Sequence, residues 1–199
     1  MRKLIAVAAV SVSVLAACTT AYNPLEDYEQ LTPATKLDSP VALASTTYSP
    51  EEIQRGRYMV SLLGCGSCHT NGALIGIPNK AQLLAGSDTG IAYSNPLAVP
   101  DPGIVYPANL TPDVETGIGS WSEDDIVRML QTGVNRHSGQ SLPVMPWPSY
   151  ASIMPEDARA MAAYLLSLPP VRHKVPANVR PGNRASAPYI HFGVYQSKQ

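Results

Sequence analysis

Cys65-Gly66-Ser67-Cys68-His69 decides how the rest of this chain is read, because C-x-x-C-H is the spacing at which haem c is fastened covalently to protein. Two thiols three positions apart each add to one vinyl group of the porphyrin, and the histidine that follows is held beneath the ring to ligate iron. A bare C-x-x-C has other uses: a thioredoxin-like redox pair, half of a zinc site, or a structural disulfide. Zinc needs further Cys or His at ligand spacing, and of the three cysteines the third is the distant Cys18. A redox pair is expected at a helix N-terminus after a βαβ pattern, whereas this pair follows the apolar run Met59-Val60-Ser61-Leu62-Leu63, which reads as a helix. The expected cofactor is therefore one covalent haem c on Cys65 and Cys68, with His69 as an iron ligand.

The N-terminus reads as an export signal. Arg2-Lys3 forms a charged n-region, and Leu4 to Ala17 is an apolar h-region too short and too Ala-rich for a comfortable membrane span. It ends in Leu15-Ala16-Ala17-Cys18, which resembles the lipobox of bacterial lipoproteins, where cleavage precedes a cysteine that is then lipidated. Residues 1–17 are thus expected to be a lipoprotein signal peptide and Cys18 a lipid anchor. Lipidation also accounts for a cysteine that would otherwise have to pair with thiols assigned to the haem. In that family an Asp after the cysteine tends to mean retention in the inner membrane, so Thr19 favours the outer membrane. Export and haem agree, since the periplasm would otherwise oxidise an exposed C-x-x-C. With 14 Lys plus Arg against 15 Asp plus Glu, the chain has no basic excess of the kind that marks nucleic-acid binding.

Residues 18–48 are rich in Thr, Ser, Pro and Ala, show neither helical nor strand periodicity, and are expected to form a flexible tether. A flexible segment of that length spans on the order of 30 Å. Three helices follow from capping chemistry and apolar spacing. The first opens at Ser49-Pro50-Glu51-Glu52, with Ser49 as N-cap, and runs to about Leu63, with Ile53, Gly56, Val60 and Leu63 on its buried stripe. The second starts at Ser122, where Trp121 is placed to staple onto Ile126, and ends near Thr132-Gly133. The third begins near Pro155, presents Met161, Tyr164, Leu165 and Leu168 on one face, and stops before Pro169-Pro170. Between Thr70 and Asn109 the chain is full of Gly, Pro, Asn and Ser, as expected of irregular structure that uses a haem as a substitute core. Residues 172–199 carry Pro176, Pro181 and Pro188 and are expected to be extended.

A glycine-bearing helix before C-x-x-C-H and an aromatic-bearing C-terminal helix resemble class I cytochromes c, with Gly56 and Tyr164 as the matching positions. Downstream, Tyr106-Pro107-Ala108-Asn109-Leu110-Thr111-Pro112-Asp113, Thr116-Gly117-Ile118-Gly119-Ser120-Trp121-Ser122, Met145-Pro146-Trp147 and Ala163-Tyr164-Leu165 look like the haem domains of cytochrome subunits that accompany periplasmic alcohol and gluconate dehydrogenases. The resemblance implies a cytochrome c domain over residues 49–171, an all-α fold of few helices and long loops around one haem, and a redox partner such as a dehydrogenase.

Of the six methionines, Met59, Met129 and Met161 lie at helical spacing and are expected in the core. Met145 lies in Leu142-Pro143-Val144-Met145-Pro146-Trp147-Pro148, where flanking prolines forbid a helix and stiffen an extended loop. A rigid loop presents sulfur to iron at little ordering cost, and the family's M-P-W/Y segment falls on the same residue, so Met145 is expected as the second axial ligand. Asn109 and Trp121 are expected to line the haem pocket. Arg128 or Arg136 is a candidate partner for a propionate. His137 is expected to be exposed, and His173 and His191 to be tail residues without a role at iron.

An iron closed by His and Met has no open position, which disfavours catalysis at the metal. The expected function is a membrane-anchored periplasmic electron carrier that receives single electrons from a donor protein and passes them to an acceptor. Two other classes are weighed against it. One is a peroxidase-type enzyme with a displaceable sixth ligand and His137 as acid–base group, and the other is a structural subunit docking a dehydrogenase through its Pro-rich tail.

Overall fold

A computed structural model describes residues 37–98, 100–134 and 144–192. Cys18 and residues 1–17, expected to be a signal peptide, lie outside these residues, as do Arg136 and His137. The first helix, α1 (Pro50–Leu62), starts where its cap predicts: Ser49 Oγ accepts from the Glu52 N–H at 3.2 Å, and the Glu52 carboxylate accepts from the Ser49 N–H at 3.0 Å. Two orphan amides are satisfied reciprocally, and Pro50 occupies a position whose N–H would be unpaired anyway. A short helix, α2 (Cys65–His69), follows at once. The next helix, α3 (Glu123–Thr132), has a capping box built from Ser122 and Asp125, and Gly133 closes it in the left-handed region at φ 71°. Two more follow among the described residues, α4 (Trp147–Tyr150) and α5 (Pro155–Leu166). Met154 gives α5 no side-chain cap, as its chemistry predicts.

α1 and α5 cross in near-backbone contact at Gly56. A Cβ there would fall 1.9 Å from the Ala160 carbonyl oxygen and 2.7 Å from Tyr164 Cβ, so only glycine permits this approach. The core formed by α1, α3 and α5 buries Val60, Ile126, Leu130, Met161, Tyr164, Leu165 and Leu168, with Met129 beside them. Ile53, Met59, Leu63 and Trp121 pack against its edge. Arg55 pairs with Asp157, tying the first turn of α5 to α1.

The all-α expectation has to be widened. β1 (Gly90–Ala92) pairs antiparallel with β2 (Ile104–Val105) and parallel with β3 (Tyr189–Ile190), giving a small sheet of order β2-β1-β3. A second apolar cluster of Ala92, Ile104 and Tyr106 sits against it, covered by Val179, Ala185 and Ala187 of the tail. No period-two pattern announces these strands, because each is only two or three residues long and its partner is chosen by where the chain returns.

Both ends of the described chain are held on this framework. In the segment expected to be a tether, residues 37–43 are fastened to the helices: Ser39 O accepts from Arg57 at 2.8 Å, Pro40 O from the Tyr164 hydroxyl at 2.7 Å, and the Leu43 N–H donates to Ser167 O at 2.8 Å. The C-terminal segment, as far as it is described, lies along its own chain: the Tyr106 N–H donates to Asn178 Oδ1 at 2.8 Å, the Tyr106 hydroxyl to Ala187 O at 2.9 Å, and Val179 exchanges backbone bonds with Ile104. No helix among the described residues is long and apolar enough to cross a membrane.

Candidate cofactor-attachment site

α1 stops at Leu63, and Gly64, at φ 67°, turns the chain so that Cys65 starts a new helical turn. Positions i and i+3 share a face of a helix, so this turn presents the Cys65 and Cys68 sulfurs together. Both are free thiols. Burial pushes the Cys65 thiol up to about 11 and raises that of Cys68 as well. A redox-active pair needs the opposite, a thiolate favoured by a helix N-terminus or a nearby cation. Neutral, apolar-facing thiols beside a histidine match covalent addition to a bound porphyrin.

His69 is buried, and its Nδ1 lies 2.7 Å from the Ala108 carbonyl oxygen. A carbonyl only accepts, so the proton sits on Nδ1 and the lone pair of Nε2 is left as a donor atom. Burial lowers the affinity of this ring for a second proton, with the Ala108 bond opposing the shift. A neutral imidazole with one nitrogen anchored is the form that ligates a metal. The His69 carbonyl accepts from the Gly86 N–H at 2.8 Å, so ring and backbone are both fixed. Close to Gly86, Leu84 adopts φ 61°, a conformation that costs a non-glycine residue energy. It is held there from both sides, its N–H donating to Thr70 Oγ1 at 3.1 Å and its carbonyl accepting from Leu110 at 2.8 Å. The donor set therefore fits a haem c: Cys65 and Cys68 would carry the thioethers and His69 Nε2 would face the iron.

No protein-family model matches the chain. Individual proteins do. Over 132 residues it is 35% identical to a component of the nicotinate dehydrogenase of Pseudomonas putida, covering 66% of this chain and 10% of that one. Over 125 residues it is 33% identical to the gluconate 2-dehydrogenase cytochrome c subunit of Pantoea cypripedii, 63% and 25% of the two chains. Over 114 residues it is 35% identical to the cytochrome c subunit of a quinone alcohol dehydrogenase of Gluconobacter oxydans, 57% and 21%. This chain carries a cytochrome c domain. The domain resembles those of the dehydrogenase cytochrome subunits, although the chain spans only a tenth to a quarter of these relatives' lengths.

In the cytochrome domain the other residues expected at the site fall in different places. Met145 is half-buried at the head of α4, with its carbonyl accepting from the Trp147 N–H at 2.8 Å. The extended loop expected here gives way to helix after Pro146, because proline is tolerated in the first turn, where Pro148 sits. α4 brings this segment to the attachment turn. Tyr150 is buried, its hydroxyl 3.5 Å from Leu63 O, and its phenol is pushed up to about 12, by burial first and then by the nearby Cys65 and Cys68 sulfurs. Trp147 meets Tyr150 edge to face at 6.1 Å and lies over Gly133, where a Cβ would come within 2.6 Å of the indole.

Trp121 packs half-buried against the core cluster that contains Ile126, where a staple would put it. Asn109 is 2% exposed and knots loops together. Its Nδ2 donates to Val171 O at 2.7 Å and Thr116 Oγ1 at 3.2 Å, and its Oδ1 accepts from the Thr111 N–H at 2.9 Å and hydroxyl at 2.8 Å. Three participants carried no sequence signal: the Ala108 carbonyl, which any residue would supply, Tyr150, and His173 in the tail.

Proposed function

We propose that this protein is an electron carrier of the periplasm, in which Cys65 and Cys68 would hold one haem c and His69 and Met145 would ligate its iron. The haem supplies a reversible one-electron change between ferric and ferrous iron. The chain supplies the rest. Cys65 and Cys68 fix orientation, the Ala108 carbonyl orients His69 and raises its basicity, and Met145 offers a soft thioether that favours a higher potential than a second imidazole would. Asn109 and Trp121 are proposed to line the haem, Asn109 also holding the loop that bears Ala108 through its bonds to Val171, Thr116 and Thr111. The observation that carries the reading is a buried His69 whose Nδ1–H is committed to Ala108 while two neutral thiols share the preceding turn.

The partner is proposed to be a dehydrogenase, since the relatives' names place their cytochrome domains in gluconate and alcohol dehydrogenases. This chain is itself no enzyme on this reading. Cys18 anchors it by lipid to the membrane, the outer one on the strength of Thr19.

Intact mass after denaturation tests the attachment: the wild-type chain carries the mass of one porphyrin, and C65A with C68A carries none. Met145→Ala is expected to abolish the thioether-to-ferric-iron absorption band and to change the midpoint potential. A spectrum and potential untouched by that change would remove Met145 from the iron, and carbon monoxide binding to the reduced native protein would favour an enzyme with an open site instead.

A further inference from the structure

His173 sits four residues beyond Pro169 in the extended tail, yet its side chain is only 14% exposed. Its Nδ1 lies 2.7 Å from the Ala85 carbonyl oxygen and its Nε2 lies 3.1 Å from Asp88 Oδ1. Its backbone N–H donates to Thr116 Oγ1 at 3.0 Å, and its carbonyl faces Asn109 Nδ2 at 3.5 Å. One residue thus grips two loops at once.

The same two loops hold His69. Gly86, next to Ala85, donates to the His69 carbonyl, and Ala108, next to Asn109, accepts from the His69 ring. The loops are also joined to each other, the Ser87 N–H donating to Pro107 O at 3.0 Å and Leu110 to Leu84 O at 2.8 Å. Asp88 adds a third route, since its second oxygen accepts from Asn71 Nδ2 at 2.9 Å, two residues past His69. Ala85 is fully buried, so a residue without a donor at 173 would leave its carbonyl unpaired and force the loop to move.

We propose that His173 is a positioning residue for His69, acting through the 84–88 and 107–111 loops on the length and direction of the bond from His69 Nδ1–H to Ala108. This rests on the reading of His69 as the iron ligand. A tight bond to a carbonyl gives the imidazole imidazolate character, which favours ferric iron and lowers the potential. Loosening the clasp therefore raises the potential.

The test uses the full-length, haem-loaded protein as wild type, H173L, H173Q and K174A, the last changing an exposed neighbour. Denatured mass, circular dichroism, midpoint potential and the exchange rate of the His69 ring N–H proton in the ferrous state are measured for each. H173L is expected to raise the midpoint potential and to speed ring-proton exchange by roughly threefold to tenfold, the range given by one lost hydrogen bond. H173Q, which keeps a donor for Ala85, falls between wild type and H173L, and K174A matches wild type. A folded, haem-bearing H173L with unmoved potential and exchange overturns the coupling alone. If H173L does not fold, H173Q decides: movement in the stated direction supports the proposal and wild-type values overturn it. A wild-type chain lacking porphyrin overturns the ligand assignment, and this inference with it.

Discussion

Tyr164 combines two demands in one side chain, filling the crossing of α1 with α5 and donating its hydroxyl to Pro40 O at 2.7 Å. Burial pushes its phenol up to about 12, from an ordinary value of 10.0. The folded state therefore prefers the neutral phenol more than the unfolded chain does. The resulting stability is complete below pH 10 and is lost as pH rises towards 12. Tyr164→Phe should cost about 1 kcal/mol near neutrality, the usual net worth of one hydrogen bond. It should also flatten part of the alkaline fall in stability, with Tyr150 supplying the remainder. Thermal midpoints measured from neutral to alkaline pH check both statements, and equal slopes for the two proteins would refute the second. The aromatic at 164 is legible from helical spacing. Its partner is not, since Pro40 lies in a segment whose composition reads as unstructured.

Among the elements, α1 and α3 are readable because their capping boxes lie within four consecutive residues, where sequence and geometry are nearly the same thing. Gly56 is of another kind. Its need for a hydrogen in place of a methyl group comes from Ala160, more than a hundred positions away. Gly56→Ala is expected to cost about 1–3 kcal/mol through overpacking and to separate α1 from α5. Denaturant titration and hydrogen exchange at the α5 amides read this out, and an unchanged unfolding midpoint would mean the helices shift at no cost. α4 escapes the sequence reading for a physical reason: Pro146 and Pro148 break the interior of a helix but sit comfortably at its start. β1, β2 and β3 are too short to carry a pattern.

Among the described residues, the segments 37–43 and 171–190 both fasten onto the helices and loops of the domain. Residues 171–190 bond to the loops between Ala85 and Thr116 through Val171, His173, Asn178, Val179, Ala187 and β3. A tail that served only to dock a partner could be removed without harm to the domain. Truncation after Pro170 is instead expected to lower stability by several kcal/mol, as several net bonds of roughly 1 kcal/mol each are lost together. Exchange protection across residues 84–111 should fall with it. Hydrogen exchange of the truncated chain tests this, and full protection in that region would restore the docking-arm reading.

Local chemistry was settled by the linear order of residues: the paired thiols and histidine, the helix starts, the stops at Gly133 and before Pro169, and the family likeness. Each depends on atoms within a few positions, so spacing alone fixes it. Tertiary structure decided which carbonyl holds His69, across 39 positions, and which histidine clasps the loops around it, across 88. A backbone carbonyl has no residue signature, and an extended strap has no period, so their partners exist only once the chain has closed on itself.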